Sequence, residues 1–166
     1  MSYGVIGGAD GPTSIFLAGK IGFHWINIFG LIFVVLLLIP NIIYAMKFRN
    51  QTNKCPNKAM NILEQIGRYA SMFFMVFNIG IAESGFSSVG AFLLYGIGNA
   101  LLTLLYWVVW MLYFYKQDSK KALTLAVLPA CIFVLSGITS GHVLLVISGV
   151  IFAVGHIYVT STALPK

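Results

Sequence analysis

Five apolar stretches alternate with short polar ones along the chain, and their lengths set the architecture. They cover about residues 23–46, 69–84, 88–115, 122–138 and 142–163. An α-helix rises 1.5 Å per residue and the hydrocarbon core of a bilayer is about 30 Å thick, so roughly 20 residues span it. The first, third and fifth stretches meet that length. The second and fourth are shorter, and Pro129 interrupts the fourth. Between the first two stretches, residues 57–68 place Ala59, Ile62, Leu63 and Ile66 at helical spacing against Lys58, Asn61, Glu64, Gln65 and Arg68. That pattern predicts an amphipathic helix on the cytoplasmic surface, with Glu64 and Arg68 as an i,i+4 pair. The plainer alternative is a helical extension of the second span with no role of its own.

Basic residues decide the count of spans. Lys47, Arg49, Lys54, Lys58 and Arg68 follow the first stretch, and Lys116, Lys120 and Lys121 follow the third. Lys166 ends the chain, and the connections after the second and fourth stretches hold neither Lys nor Arg. Lys and Arg gather on the cytoplasmic side of membrane proteins. Five spans, with the N-terminus outside and the C-terminus in the cytoplasm, put every basic connection on one side. Omitting either short span would not. Tyr106, Trp107, Trp110, Tyr113 and Tyr115 collect at the cytoplasmic end of the third stretch, where amphipathic rings favour the headgroup region. Phe23, His24 and Trp25 occupy the outer end of the first.

Composition agrees with lipid as the solvent. Of the 166 residues, 59% are hydrophobic and 8% charged, against roughly 25% charged in soluble domains. The net charge of +6 lies between apolar runs rather than along a polar face, which favours anionic lipid over nucleic acid as its counterpart. Cys55 and Cys131 have no disulfide framework around them and read as free thiols. The N-terminus lacks the basic and continuous apolar regions of a signal peptide. The chain thus divides into a glycine-rich segment, residues 1–22, and an all-α transmembrane domain, residues 23–166.

The glycine-rich segment holds the strongest local signal. Gly7, Gly8 and Gly11 relax the backbone, and Pro12 removes a donor, with apolar residues on either side. Transporters use such interrupted segments to offer carbonyl oxygens to a cation at membrane depth. Here Asp10 would add a charge and Thr13 and Ser14 hard oxygen ligands. The stretch Gly-Gly-Ala-Asp-Gly-Pro-Thr-Ser-Ile resembles a signature of the beta subunit of sodium-translocating decarboxylases, the oxaloacetate, glutaconyl-CoA and methylmalonyl-CoA pumps. The resemblance covers about residues 4–17. It implies a broken, re-entrant membrane segment in which Asp10 binds and couples Na⁺. The remainder resembles uncharacterised small bacterial membrane proteins.

Two constellations follow. Asp10, Thr13, Ser14 and Glu83 are candidate cation ligands, since Asp10, Glu83 and His142 all fall on the outer side of this topology. Asn78, Asn99 and His156 fall at similar depths on three helices, about 9–13 Å from the cytoplasmic face by helical rise. They form a candidate polar layer, acting either as a relay or as interhelical glue. Glu64 and Asp118 read as solvated partners of the basic loops. No catalytic constellation is visible, no cofactor is implied beyond Na⁺, and no metal is implied beyond that ion. The expected protein is a multi-pass component of the bacterial cytoplasmic membrane. It serves sodium-coupled transport or a sodium pump, or else scaffolds a partner through packing residues alone. The lipid bilayer is its expected partner, a homo-oligomer or a membrane-protein partner stays open, and nucleic acid is not expected.

Overall fold

The computed structural model describes residues 25–48, 56–79 and 85–164. They fold into five α-helices: α1 (Ile28–Lys47), α2 (Lys58–Val76), α3 (Val89–Tyr115), α4 (Ser119–Ser140) and α5 (Val143–Ala163). Four of them, all but α2, are long and apolar enough to cross a membrane. Four of the five helices begin at a side-chain cap. The side chains of Asn27, Asn57, Ser88 and His142 accept hydrogen bonds from first-turn amides of α1, α2, α3 and α5. Gly141, at φ 65°, closes α4 in the left-handed conformation, so α5 follows after a single tight turn.

Contacts between helices fix their directions. Near one end, the Asn27 amide donates to Val76 O and the Asn78 amide to Trp25 O, so α1 starts where α2 finishes. Asn27 also reaches Tyr95, while Asn41 reaches Tyr106 further along, so α1 and α3 run the same way. Gly155 of α5 lies against Glu64 and Gly67 of α2 against Phe152, which makes α2 and α5 antiparallel. Gly149 meets Phe133 and Val134, and Gly137 meets Val146, along an antiparallel α4–α5 hairpin. Successive helices therefore alternate in direction. Lys47, Lys58, Lys116, Lys120 and Lys121 share one end of the bundle, and among the described residues the opposite end carries no Lys or Arg.

The second helix follows the plainer of the two sequence expectations, a helix continuous with the stretch that follows, and not the separate surface helix. Residues 57–68 do not form a separate surface helix leading into a span at 69–84. They are the first half of one helix that ends at Val76 and packs on α5. The face is also inverted. Ile62, Ile66, Tyr69 and Phe73 point outward, whereas Glu64, Gly67, Ser71 and Met75 are buried. The periodicity was real, but its apolar side faces away from the bundle. The fourth helix runs unbroken through Pro129 and is longer than the expected 122–138.

The aromatic group of α3 packs inside the bundle too. Tyr106 and Trp110 are buried, and Tyr44 lies among Trp110, Tyr113 and Phe114 with ring centroids 5.2–6.3 Å away. Only Tyr115 is almost fully exposed. Trp107 has a more specific task. Pro40 has no N–H, which leaves Leu36 O without its helical donor. The Trp107 indole supplies one at 3.0 Å.

Two glycines set how closely α2 and α5 approach. A Cβ at Gly67 would sit 2.5 Å from the Phe152 backbone nitrogen, and one at Gly155 would sit 2.7 Å from the Glu64 Cα. At Gly98 the obstacle is only the tip of Leu135. Gly155→Val or Gly67→Val should therefore lower stability in detergent by about 1–3 kcal/mol, while Gly98→Ala costs much less. Unfolding followed by circular dichroism measures this. By the same assay Trp107→Phe, which leaves Leu36 O unpaired, should cost about 1–2 kcal/mol.

Candidate functional site

Glu64, the one buried carboxylate among the described residues, lies at the α2–α5 contact. Glu64 is 6% exposed and forms an ion pair with Arg68, one helical turn further along α2. On its other side stands His156 of α5, with Nδ1 3.1 Å from Glu64 Oε1. Gly155, immediately before His156, makes the approach of the two backbones close enough for this contact. Phe152 supports the pair from one turn earlier. Its ring stacks on His156 at a centroid distance of 4.8 Å and lies 6.0 Å from the Arg68 guanidinium.

Arg68, Phe152 and His156 border a cavity of about 80 Å³. Arg68 and Met72 from α2 line it, with Asn41 and Leu37 from α1, Tyr106 from α3, and Phe152 and His156 from α5. Pro129 of α4 closes one side, so all five helices contribute. Asn41 is fixed there by two bonds, each 2.7 Å long, to Leu37 O and to the Tyr106 hydroxyl. Helical rise places Glu64, Asn41 and His156 about 9–11 Å inside the basic end of the bundle, and Arg68 about 15 Å inside. The charges are thus well below the helix ends, where they cost several kcal/mol unless paired or solvated. Pairing accounts for Glu64. The half-buried Arg68 and the cavity supply the solvation.

The predicted polar layer has a different arrangement. His156 joins Glu64, and Asn99, fully buried, donates to Ser136 Oγ at 2.9 Å between α3 and α4. Asn78 lies beyond the last turn of α2, exposed, with its amide bonded to Trp25 O. The three residues therefore occupy separate surroundings. Thr103, one turn from Asn99, is also buried, and its hydroxyl has no hydrogen-bond partner among the described residues, nor has Asn99 Oδ1. Asp10, Thr13, Ser14 and Glu83 lie outside the described residues. His142, expected beside them, is buried as the N-cap of α5 and packs on Phe74. Asp118 is exposed at the start of α4.

Glu64, not expected at the site, is its centre. Its i,i+4 spacing to Arg68 was visible, but such pairs are common on solvated helices. The better signal was the small residue Gly67 on the same face, followed by Ser71 and Met75 at one-turn intervals. Among the described residues no three His, Cys, Asp or Glu side chains gather as a metal site. Comparison with protein-family models, curated proteins and solved structures gives no match.

If Glu64 and His156 act as one unit, their substitutions will not add. A double-mutant cycle with Glu64→Ala and His156→Ala should give a coupling energy of about 0.5–3 kcal/mol in detergent unfolding. Glu64→Ala with Asn99→Ala, which share no contact, should be additive within about 0.5 kcal/mol.

Proposed function

We propose that the chain is a small membrane carrier with five spanning helices, whose internal site is the cavity beside Glu64, Arg68 and His156. The multi-pass membrane character follows from the four long apolar helices. The inverted face of α2 supports the fifth span. A helix with its polar side inward and Ile62, Ile66, Tyr69 and Phe73 outward suits a surrounding of lipid better than one of water. The basic end then faces the cytoplasm by the distribution of Lys and Arg, as in a bacterial cytoplasmic membrane.

One observation carries the carrier reading: paired and half-solvated ionisable groups beside a cavity that all five helices line. Buried charge within spans marks ion and substrate paths by default. A scaffold would need polar residues only as glue between helices, and the double pairing of Glu64 favours that role. A pure scaffold gives no reason for a cavity next to the pair in which Arg68, His156, Asn41 and Tyr106 stand among apolar side chains. Coupling to Na⁺ through Asp10, Thr13, Ser14 and Glu83 is a proposal that rests on the resemblance of residues 4–17.

Purified protein reconstituted into vesicles tests the carrier reading. Osmotic swelling should exceed that of empty vesicles for at least one small solute among sodium acetate, potassium chloride, urea and glycerol. The Glu64→Gln, His156→Gln double variant should lower the excess at least about tenfold. Rates equal to those of empty vesicles for every solute would remove the carrier and leave the scaffold. For the sodium proposal, thermal stability should rise more in NaCl than in KCl for the parent and equally for Asp10→Asn, because binding to the folded state raises apparent stability by mass action. Identical parent curves in both salts would remove it.

A further inference from the structure

We infer that the cavity binds a small monoanion of the carboxylate type, held by Arg68 and taken up together with a proton on His156; the inference rests on the carrier site proposed above. Charge is the first reason. Glu64 and Arg68 cancel each other, so the state of His156 sets the net charge of the site. Imidazole is the side chain that changes charge in the physiological range. With His156 neutral, the cluster is neutral. With a proton on His156, it carries one positive charge in surroundings of Val34, Leu37, Met72 and Phe133, where the low dielectric makes a missing counter-charge costly. One monoanion restores neutrality, and proton and anion enter as a neutral pair.

Hydrogen bonding is the second reason. A guanidinium offers five donors in a planar fork that matches a carboxylate, and the pair with Glu64 does not use all five. The Tyr106 hydroxyl accepts from Asn41 and so has its own proton to donate. Both Asn41 amide hydrogens are taken, by Leu37 O and by Tyr106. The wall therefore presents donors from Arg68 and Tyr106, the pattern an anion needs. Among the described residues no acid lines the cavity. Around His156 the ionisable neighbours are Glu64 and Arg68 from α2 and Tyr106 from α3. α1 brings the neutral Asn41, and α4 brings only Pro129 and Phe133. A cavity of about 80 Å³ holds several water molecules, or one ion of three or four heavy atoms such as formate or acetate.

The test follows melting of the full chain in detergent with sodium formate, sodium acetate or sodium gluconate at equal sodium concentration, at pH 6 and pH 8. Formate and acetate should raise the melting temperature over gluconate, which is too large to enter, by about 2–4 °C at pH 6. At pH 8 the shift should fall at least about fivefold. Arg68→Gln should abolish it. Because that change also strips Glu64 of a partner, His156→Gln is the second arm; it keeps the Glu64–Arg68 pair and should show no pH-dependent shift. Gluconate acting like formate, a parent shift equal at both pH values, or an unchanged pH dependence in His156→Gln would each overturn the inference. Vesicle swelling separates this inference from the carrier reading. Anion binding without solute flux supports the site and removes the carrier, whereas flux without formate or acetate binding overturns the site alone.

Discussion

A carboxylate enclosed by a bundle of apolar helices must find its counter-charges inside that bundle, and Glu64 sets this requirement for the whole fold. Unpaired, it would cost several kcal/mol or give up its charge. Arg68 on the same helix supplies the opposite charge, and the His156 ring reaches the other side only if α5 comes within backbone contact of α2. That proximity requires glycine at 67 and 155. Once α5 is fixed, its glycine at 149 seats it against α4, and α4 carries α3 through the Asn99–Ser136 bond. A chain of close contacts thus runs outward from one ionised group. Burial of apolar surface alone would not specify it, because lipid receives apolar side chains as readily as the bundle does.

The same constraint explains why α2 looks amphipathic in sequence and behaves in the opposite sense in structure. In water, Ile62 and Ile66 would turn inward and Glu64 outward. Here large apolar side chains are exposed on every helix, and several of the polar atoms inside are matched by neighbouring helices. The carbonyl released by Pro40 is handled in this way by Trp107, and Asn41 divides its two hydrogens between Leu37 and Tyr106. Proline and asparagine in adjacent positions of α1 are therefore accommodated by α3, which runs alongside in the same direction.

Much of the fold was legible in the sequence because hydropathy and basic residues vary over whole segments. The bounds of α3 and α5 follow directly from the lengths of their apolar runs, and the alternation of helix direction follows from where Lys47, Lys58, Lys116, Lys120 and Lys121 fall. The start of α2 was legible as a helix, either separate or continuous with the stretch that follows, but not which way it faces, since periodicity reports that a face exists without saying which solvent it meets. The site was less accessible still. The roles of Glu64 and His156 depend on the register of two helices that are far apart in the chain, and that register is set by the absence of side chains at Gly67 and Gly155. Asn99 was recognised as intramembrane and polar, but its partner Ser136 carries no distinguishing mark among the serines of the chain.

The α2–α5 pairing also bears on how the polypeptide reaches the bilayer during synthesis. α2 carries Lys58, Glu64 and Arg68, and charged residues make a segment a poor substrate for insertion by itself. Its partner across the contact, His156, belongs to α5, which is made after the whole of α3 and α4. α2 therefore reaches its packed position against α5 only after α5 has been synthesised.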